Sequence, residues 1–205
     1  MAQESDYRMS FSTGGLFLRE SVEIASLYQS SAGWVQVKQQ ARMGNTLQTR
    51  TTASSTRAIR EVVLRLQTLS PAELDLLLDG SPQEQSQLLW VAICRTYPFI
   101  REFALEILRE FYLTMRGELS YEDFDYFYNK KSDIHPDLDA ISLSTRNKLR
   151  QVLFRMMREA GLLTAQNMIL PALLTPRFIE AVAEQSTDDL RVFPVFDAEI
   201  RRMAR

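Results

Sequence analysis

One signature, a hydroxyl residue before a proline with a glutamate three positions on, does most to restrict this chain. It occurs as Ser70-Pro71-Ala72-Glu73 and Ser81-Pro82-Gln83-Glu84, and the shorter Thr175-Pro176 shares its start. The hydroxyl accepts a first-turn backbone N–H, and proline at the first helical position loses only a donor that a helix leaves orphaned. The glutamate reaches back to the N-cap N–H and closes a capping box. Helices therefore begin near residues 70, 81 and 175.

The apolar spacing between these points is helical. Leu16, Leu18, Val22, Ala25 and Leu27 recur with charges between them over Leu16–Tyr28, after the turn residues Ser12-Thr13-Gly14-Gly15. From Ser81 the pattern Leu88, Leu89, Val91, Ala92 runs to Tyr97, is interrupted at Pro98, and resumes from Phe99 to Met115, ending at Gly117. These read as the most buried helices. Further helices are expected at Tyr121–Asn129, opened by Ser120, and from Ser142–Ser144 to Gly161. Strand-like runs are confined to Leu162–Leu170 and Leu190–Phe196. The fold class expected is all-α, one compact unit or two regions, 1–117 and 118–205.

The chain of 205 residues is 45% hydrophobic and 24% charged, with seven glycines and seven prolines, a composition that supports a core without staples. The longest apolar run, Leu88–Cys94, stops at Arg95, far short of the ~20 residues a spanning helix needs. The start MAQESDYRMSF lacks the basic and apolar regions of a secretory signal. A single cysteine excludes an internal disulfide and a thiol-based metal cluster. A cytoplasmic protein without a membrane partner is expected.

The net charge of −2 gives no bulk attraction to nucleic acid, but the charge is segregated. From Trp34 to Leu66, the basic residues Lys38, Arg42, Arg50, Arg57, Arg60 and Arg65 face one acid, Glu61, a surplus of five. From Ser144 to Ala160, Arg146, Lys148, Arg150, Arg155 and Arg158 face only Glu159, a surplus of four. With nine positive charges in these windows and −2 overall, the rest of the chain carries −11. Of 24 basic residues 20 are arginine, whose planar fork holds a phosphate through two hydrogen bonds. Arginine-rich helices also form surface ion pairs. Two separated basic windows in an acidic body favour phosphate instead.

The windows resemble each other. IREVVLRL, Ile59–Leu66, set over LRQVLFRM, Leu149–Met156, pairs Arg60 with Arg150, Val62 with Val152 and Arg65 with Arg155. In the second, Leu149, Val152, Leu153, Met156 and Ala160 form an apolar stripe. The opposite side carries Asn147, Arg150, Gln151, Arg155 and Arg158, the residue types that read guanine, adenine and phosphate in a major groove. Tyr121–Asn129, Pro136–Ile141 and Thr145–Ala160 would then form a helix-turn-helix, with GLLTAQNMILP as a small wing. In the first window Trp34–Met43 would support, Gly44–Ser54 turn and Ser55–Leu69 read, through a longer turn than usual.

No catalytic constellation emerges. His135, the single histidine, stands with Asp133, Asp137 and Asp139 in what reads as an acidic turn before Pro136. In YEDFDYFYNKK the acids Glu122, Asp123 and Asp125 near Lys130 and Lys131 invite a nuclease comparison. That chemistry wants carboxylates gathered around a metal, and this run reads as a helix with Tyr121, Phe124 and Phe127 or Tyr128 inward and the acids on a solvated face. Cys94 reads as a small buried hydrophobe, with no histidine nearby to activate it. No phosphate-cradling glycine loop is present, and neither metal nor cofactor is expected.

Four segments, SFSTGGLFLRESVEIASLY, NTLQTRTTASSTRAIREVVLRL, EQSQLLWVAICRTYPFIREFALEILREF and HPDLDAISLSTRNKLRQVLFRMMREAGLL, resemble the BrxA family, small accessory proteins of bacteriophage-exclusion (BREX) defence systems. The resemblance spans roughly residues 10–165 and leaves the last forty unmatched. It implies a non-enzymatic all-α protein that binds double-stranded DNA through helix-turn-helix elements, beside methyltransferase, ATPase and phosphatase-like components. The helix-turn-helix role falls on Arg57, Arg60 and Arg65, and on Arg146, Lys148, Arg150 and Arg155. Lys38, Arg42, Arg50, Asn147, Gln151 and Arg158 complete the expected DNA-facing set, on a monomer with low sequence specificity. The alternative is a scaffold whose basic faces dock other defence components.

Overall fold

A computed structural model describes residues 7–12, 14–31, 33–43 and 52–203, with side chains from 54 to 202 in the last stretch. Its helices in order are α1 (Leu18–Gln29), α2 (Trp34–Met43), α3 (Thr52–Leu66), α4 (Pro71–Asp79), α5 (Pro82–Thr96), α6 (Pro98–Phe103), α7 (Glu110–Leu113), α8 (Tyr121–Ser132), α9 (Leu143–Glu159), α10 (Pro176–Gln185) and α11 (Asp197–Met203). A π-helical turn, Ala104–Arg109, joins α6 to α7, and 3-10 turns lie at Pro136–Leu138 and Thr187–Val192. Among the described residues there is no sheet, and the protein is all-α.

The capping signals are realised. Ser70 and Ser81 accept from the N–H of Glu73 and Glu84, and each glutamate returns a bond to its cap N–H, at 2.7 and 2.8 Å. Thr175 Oγ1 accepts from Phe178 N. Ser120 with Asp123 builds a third box in front of α8, where aspartate replaces the longer acid, and Ser142 caps α9.

α5 occupies the centre, with Leu88 to Cys94 in its buried run. Trp90 is fully buried and donates its indole N–H to Val192 O at 3.1 Å. α1, α2 and α3 pack together on one side, and α3 also packs on α5. On the other, Phe99 and Phe103 of α6 interleave with Phe124 and Phe127 of α8 at ring separations of 5.2 to 6.0 Å. One buried core thus draws on residues before and after Gly117. Beneath α5 an ion-pair network ties Arg95 to Glu73 and Asp189, and Asp189 to Arg101. Each buried charge in it has a partner, the condition under which such groups are tolerated.

Three expectations need correction. α1 starts at Leu18, because Phe17 adopts a left-handed conformation (φ 59°) with no side-chain cap; of the expected cap residues, Thr13 lies outside the described residues. Leu190–Phe196 is not a strand, since the acids Asp188 and Asp189 open a 3-10 turn that extends to Val192. The turn expected over Gly44–Ser54 lies outside the described residues up to residue 51 and does not reach Ser54, since α3 begins at Thr52 and holds Ser54 and the buried Ser55 inside it. Leu162–Leu170 does fold back on itself, but its pairing reduces to the isolated bridges Leu163 to Ile169 and Glu118 to Met168.

Candidate nucleic-acid interface

α9 carries the second basic window, and its arginines divide into two rows. Its core side is wider than the predicted stripe, because Phe154 and Met157 are buried as well. The row Arg146, Arg150, Phe154, at i, i+4 and i+8, turns towards α8. There Phe154 meets the Tyr121 ring edge-on at 4.8 Å. Arg150 pairs with Asp125 and its guanidinium lies 4.7 Å from the Tyr121 ring centre. Arg146 donates to Asn129 Oδ1 at 2.8 Å and to Asp125 O at 2.9 Å, and stacks 4.3 Å from the Tyr128 ring centre. Both are half-buried, so Asp125 is an anchor for two arginines and not a solvated acid.

The other row, Lys148, Gln151 and Arg155, at i, i+3 and i+7, is exposed. Lys148 makes no ion pair among the described residues, and Arg155 bonds only Glu159, one turn on, at 2.7 Å. Asn147 is half-buried between the rows, and Arg158 donates to Asn167 Oδ1 at 2.8 Å, tying α9 to the bridged turn after it.

The first window divides differently. Arg57 and Arg60 are exposed on α3 without an ion pair among the described residues. On α2, Arg42 is exposed and Lys38 half-buried, while Arg50 lies outside the described residues. Arg65 is no surface residue: it is 1% exposed, donates Nε to Glu61 and Nη1 to Gly15 O, each at 2.7 Å, and stands 5.6 Å from the Phe17 ring centre. Tyr97 donates its hydroxyl to the same Glu61 oxygen, and burial beside that carboxylate pushes the Tyr97 phenol up. The sequence match of Arg65 with Arg155 therefore breaks in space, because α1 and its lead-in cover one side of α3 and leave α9 open there.

These unlike arginines nonetheless serve one joint. Arg65 holds Gly15 O from α3, and Glu159 of α9 accepts Leu16 N at 2.6 Å while bonding Arg155. The backbone at Gly15–Leu16 is thus gripped by both basic helices. A Cβ at Gly15 would lie 2.2 Å from Glu159 Oε2, so a larger residue there would push the Glu159 carboxylate away. No sequence signal marks this joint, because its partners lie 50 and 143 residues apart.

Elsewhere His135 stacks on Tyr7 at 3.6 Å, and Cys94 is buried, which pushes its thiol up and away from nucleophile chemistry. Among the described residues no group of three or more His, Cys, Asp or Glu is placed to hold a metal, and no helix is long and apolar enough to cross a membrane.

The class defined by these features is a small all-α protein with exposed cationic rows on two helices braced through a shared backbone joint. The chain belongs to the BrxA family, whose model matches residues 5–186. It is 29% identical over 148 residues to the BREX protein BrxA of Escherichia coli O9:H4 (strain HS), covering 72% of this chain and 70% of the relative. It is 26% identical over 161 residues to the BREX protein BrxA of Paramagnetospirillum magneticum (strain AMB-1), covering 78% and 81%. The crystal structure of an uncharacterized protein from Magnetospirillum magneticum shares the fold, with TM-score 0.79 at 23% identity over 91% of this chain and 97% of that one.

Proposed function

We propose that this protein is a non-catalytic, double-stranded-DNA-binding accessory of a BREX phage-defence system. The supporting observation is the set of exposed cations on two helices: Arg57 and Arg60 on α3 and Lys148 on α9, which make no ion pair among the described residues, with Gln151 and with Arg155, whose ion pair is with Glu159 one turn on. In this reading α8, the 3-10 turn and α9 act as a helix-turn-helix, with the bridged turn at 162–170 as a reduced wing. α9 enters the groove with the row Lys148, Gln151, Arg155, while Arg146 and Arg150 brace it from behind. Family membership supports the defence role, since the relatives carry the name BREX protein BrxA.

Charge removal by Lys148→Gln and Arg155→Gln, both exposed, tests the reading without placing a second acid beside Glu159. Duplex affinity is expected to fall at least tenfold, with unchanged circular dichroism and melting temperature. Undiminished affinity in the folded variant refutes it. Capture of a defence component that survives nuclease treatment and is lost with the same substitutions would instead mark the row as a protein-docking face.

A further inference from the structure

The bridged turn after α9 is fixed both to that helix and to the body. Thr164 N donates to Met168 O at 2.9 Å and Asn167 N to Thr164 O at 3.0 Å, while Thr164 Oγ1 accepts from Gln166 N and Met168 N at 3.2 and 3.1 Å. Asn167, left-handed at φ 62°, is held twice more: its carbonyl accepts from Leu119 N at 3.0 Å and its Oδ1 from Arg158 at 2.8 Å. Arg158 continues the exposed row of α9, since Lys148, Gln151, Arg155 and Arg158 fall at i, i+3, i+7 and i+10, one stripe of a helix. The row therefore runs on into the turn, whose tip residues Ala165 and Gln166 are exposed. Thr164 to Asn167 carry no charge, and the acid Glu118 faces Met168 at the base of the turn. What the turn projects beyond Arg158 is thus the neutral amide of Gln166, a donor of hydrogen bonds.

We propose that Gln166 donates its side-chain amide to a backbone phosphate at the edge of the groove that α9 occupies, and that Arg158 is a positioning residue that sets the turn for this contact. The assignment rests on the DNA-binding reading. From Lys148 to Arg158 the helix rises about 15 Å, and a major groove is about 12 Å wide. A recognition helix meets base edges with its N-terminal residues, so its far end, with the turn attached, passes over the strand that bounds the groove. A neutral amide there bonds a phosphate oxygen without displacing a counterion, and it fixes register while reading no base. In this arrangement Arg158, expected from its sequence to meet DNA itself, acts on the duplex through Asn167 and Gln166.

The test is fluorescence anisotropy of the full chain on two duplexes of unrelated sequence across a salt series, with the variants Gln166→Ala, Asn167→Gly, their combination and Arg158→Gln. Glycine keeps the left-handed backbone at 167 and removes the acceptor of Arg158. Gln166→Ala is expected to weaken binding about fivefold on both duplexes, with the melting temperature and the salt slope unchanged. Asn167→Gly is expected to weaken it as well, and the combined variant to bind no worse than Gln166→Ala, because the tie acts through Gln166. Arg158→Gln is expected to keep the wild-type slope. A slope shallower by about 0.9 in Arg158→Gln shows that Arg158 itself neutralises a phosphate, and it overturns the positioning role, as do losses that multiply in the combined variant. A loss with Gln166→Ala on one duplex only overturns phosphate as the acceptor. Equal binding by the wild type and Gln166→Ala overturns the contact alone, whereas a wild type that binds neither duplex refutes the DNA-binding reading and the contact with it.

Discussion

Arg60 and Arg65 sit five residues apart on α3, and their replacement is expected to have opposite consequences. Arg65→Met keeps most of the side-chain volume but removes the bonds to Glu61 and Gly15 O, both 2.7 Å, and leaves Glu61, whose side chain is 13% exposed, without its counter-charge. Losing one partner of a buried pair costs about 3 kcal/mol. For a chain of this length that lowers the melting temperature by roughly 6 to 12 °C. Because Arg65 is 1% exposed, duplex affinity at a temperature where the variant is folded should stay within about twofold. Arg60→Ala removes an exposed cation, so stability should change by less than about 0.5 kcal/mol. Its duplex affinity should fall, with a salt slope shallower by about 0.9. Differential scanning calorimetry and fluorescence anisotropy on the same samples read both quantities. The division is refuted if Arg65→Met loses affinity at an unchanged melting temperature, or if Arg60→Ala melts early and binds normally.

Asp125→Asn removes the ion pairs of Arg146 and Arg150 but leaves the bonds of Arg146 to Asn129 and to the Asp125 carbonyl, so the melting temperature should drop a few degrees in a thermal melt; an unchanged melting temperature contradicts the bracing role. Glu159→Ala leaves Leu16 N without its acceptor in a buried setting and should cost about 1 to 3 kcal/mol in denaturant titration, and an unchanged midpoint contradicts the joint. The bond from the Thr175 hydroxyl, with those from Ser81, holds the Glu84 carboxyl below its ordinary value. Its stabilising contribution is therefore present above pH about 4.3 and lost as pH falls through the lower folded value. Glu84→Gln should flatten that acid limb of the stability curve, and an identical limb in wild type and variant argues against it.

Helix boundaries were legible because their signals are local. Ser70, Ser81 and Thr175 name their partners three residues on, and each does cap. Charge segregation was equally readable, since it is a count along the chain. The division of the arginines was not, because it depends on which neighbour covers each side of a helix. Arg65 and Arg155 match in the sequence, yet the lead-in to α1 buries the first while the second stays 61% exposed beside Glu159. Asp125 reads as a solvated acid until α9 brings Arg146 and Arg150 against it. Phe154 misses the predicted stripe because α9 packs on two sides, towards the core and towards α8.

The DNA contact is tested most directly by a salt-titrated anisotropy measurement of the full chain against duplexes of differing sequence and length. Four exposed cations, Arg57, Arg60, Lys148 and Arg155, predict that log K falls linearly with log salt with a slope of about −3.6, nearly equal across sequences. Absent binding, or binding with a slope near zero, contradicts the assignment of these helices to DNA.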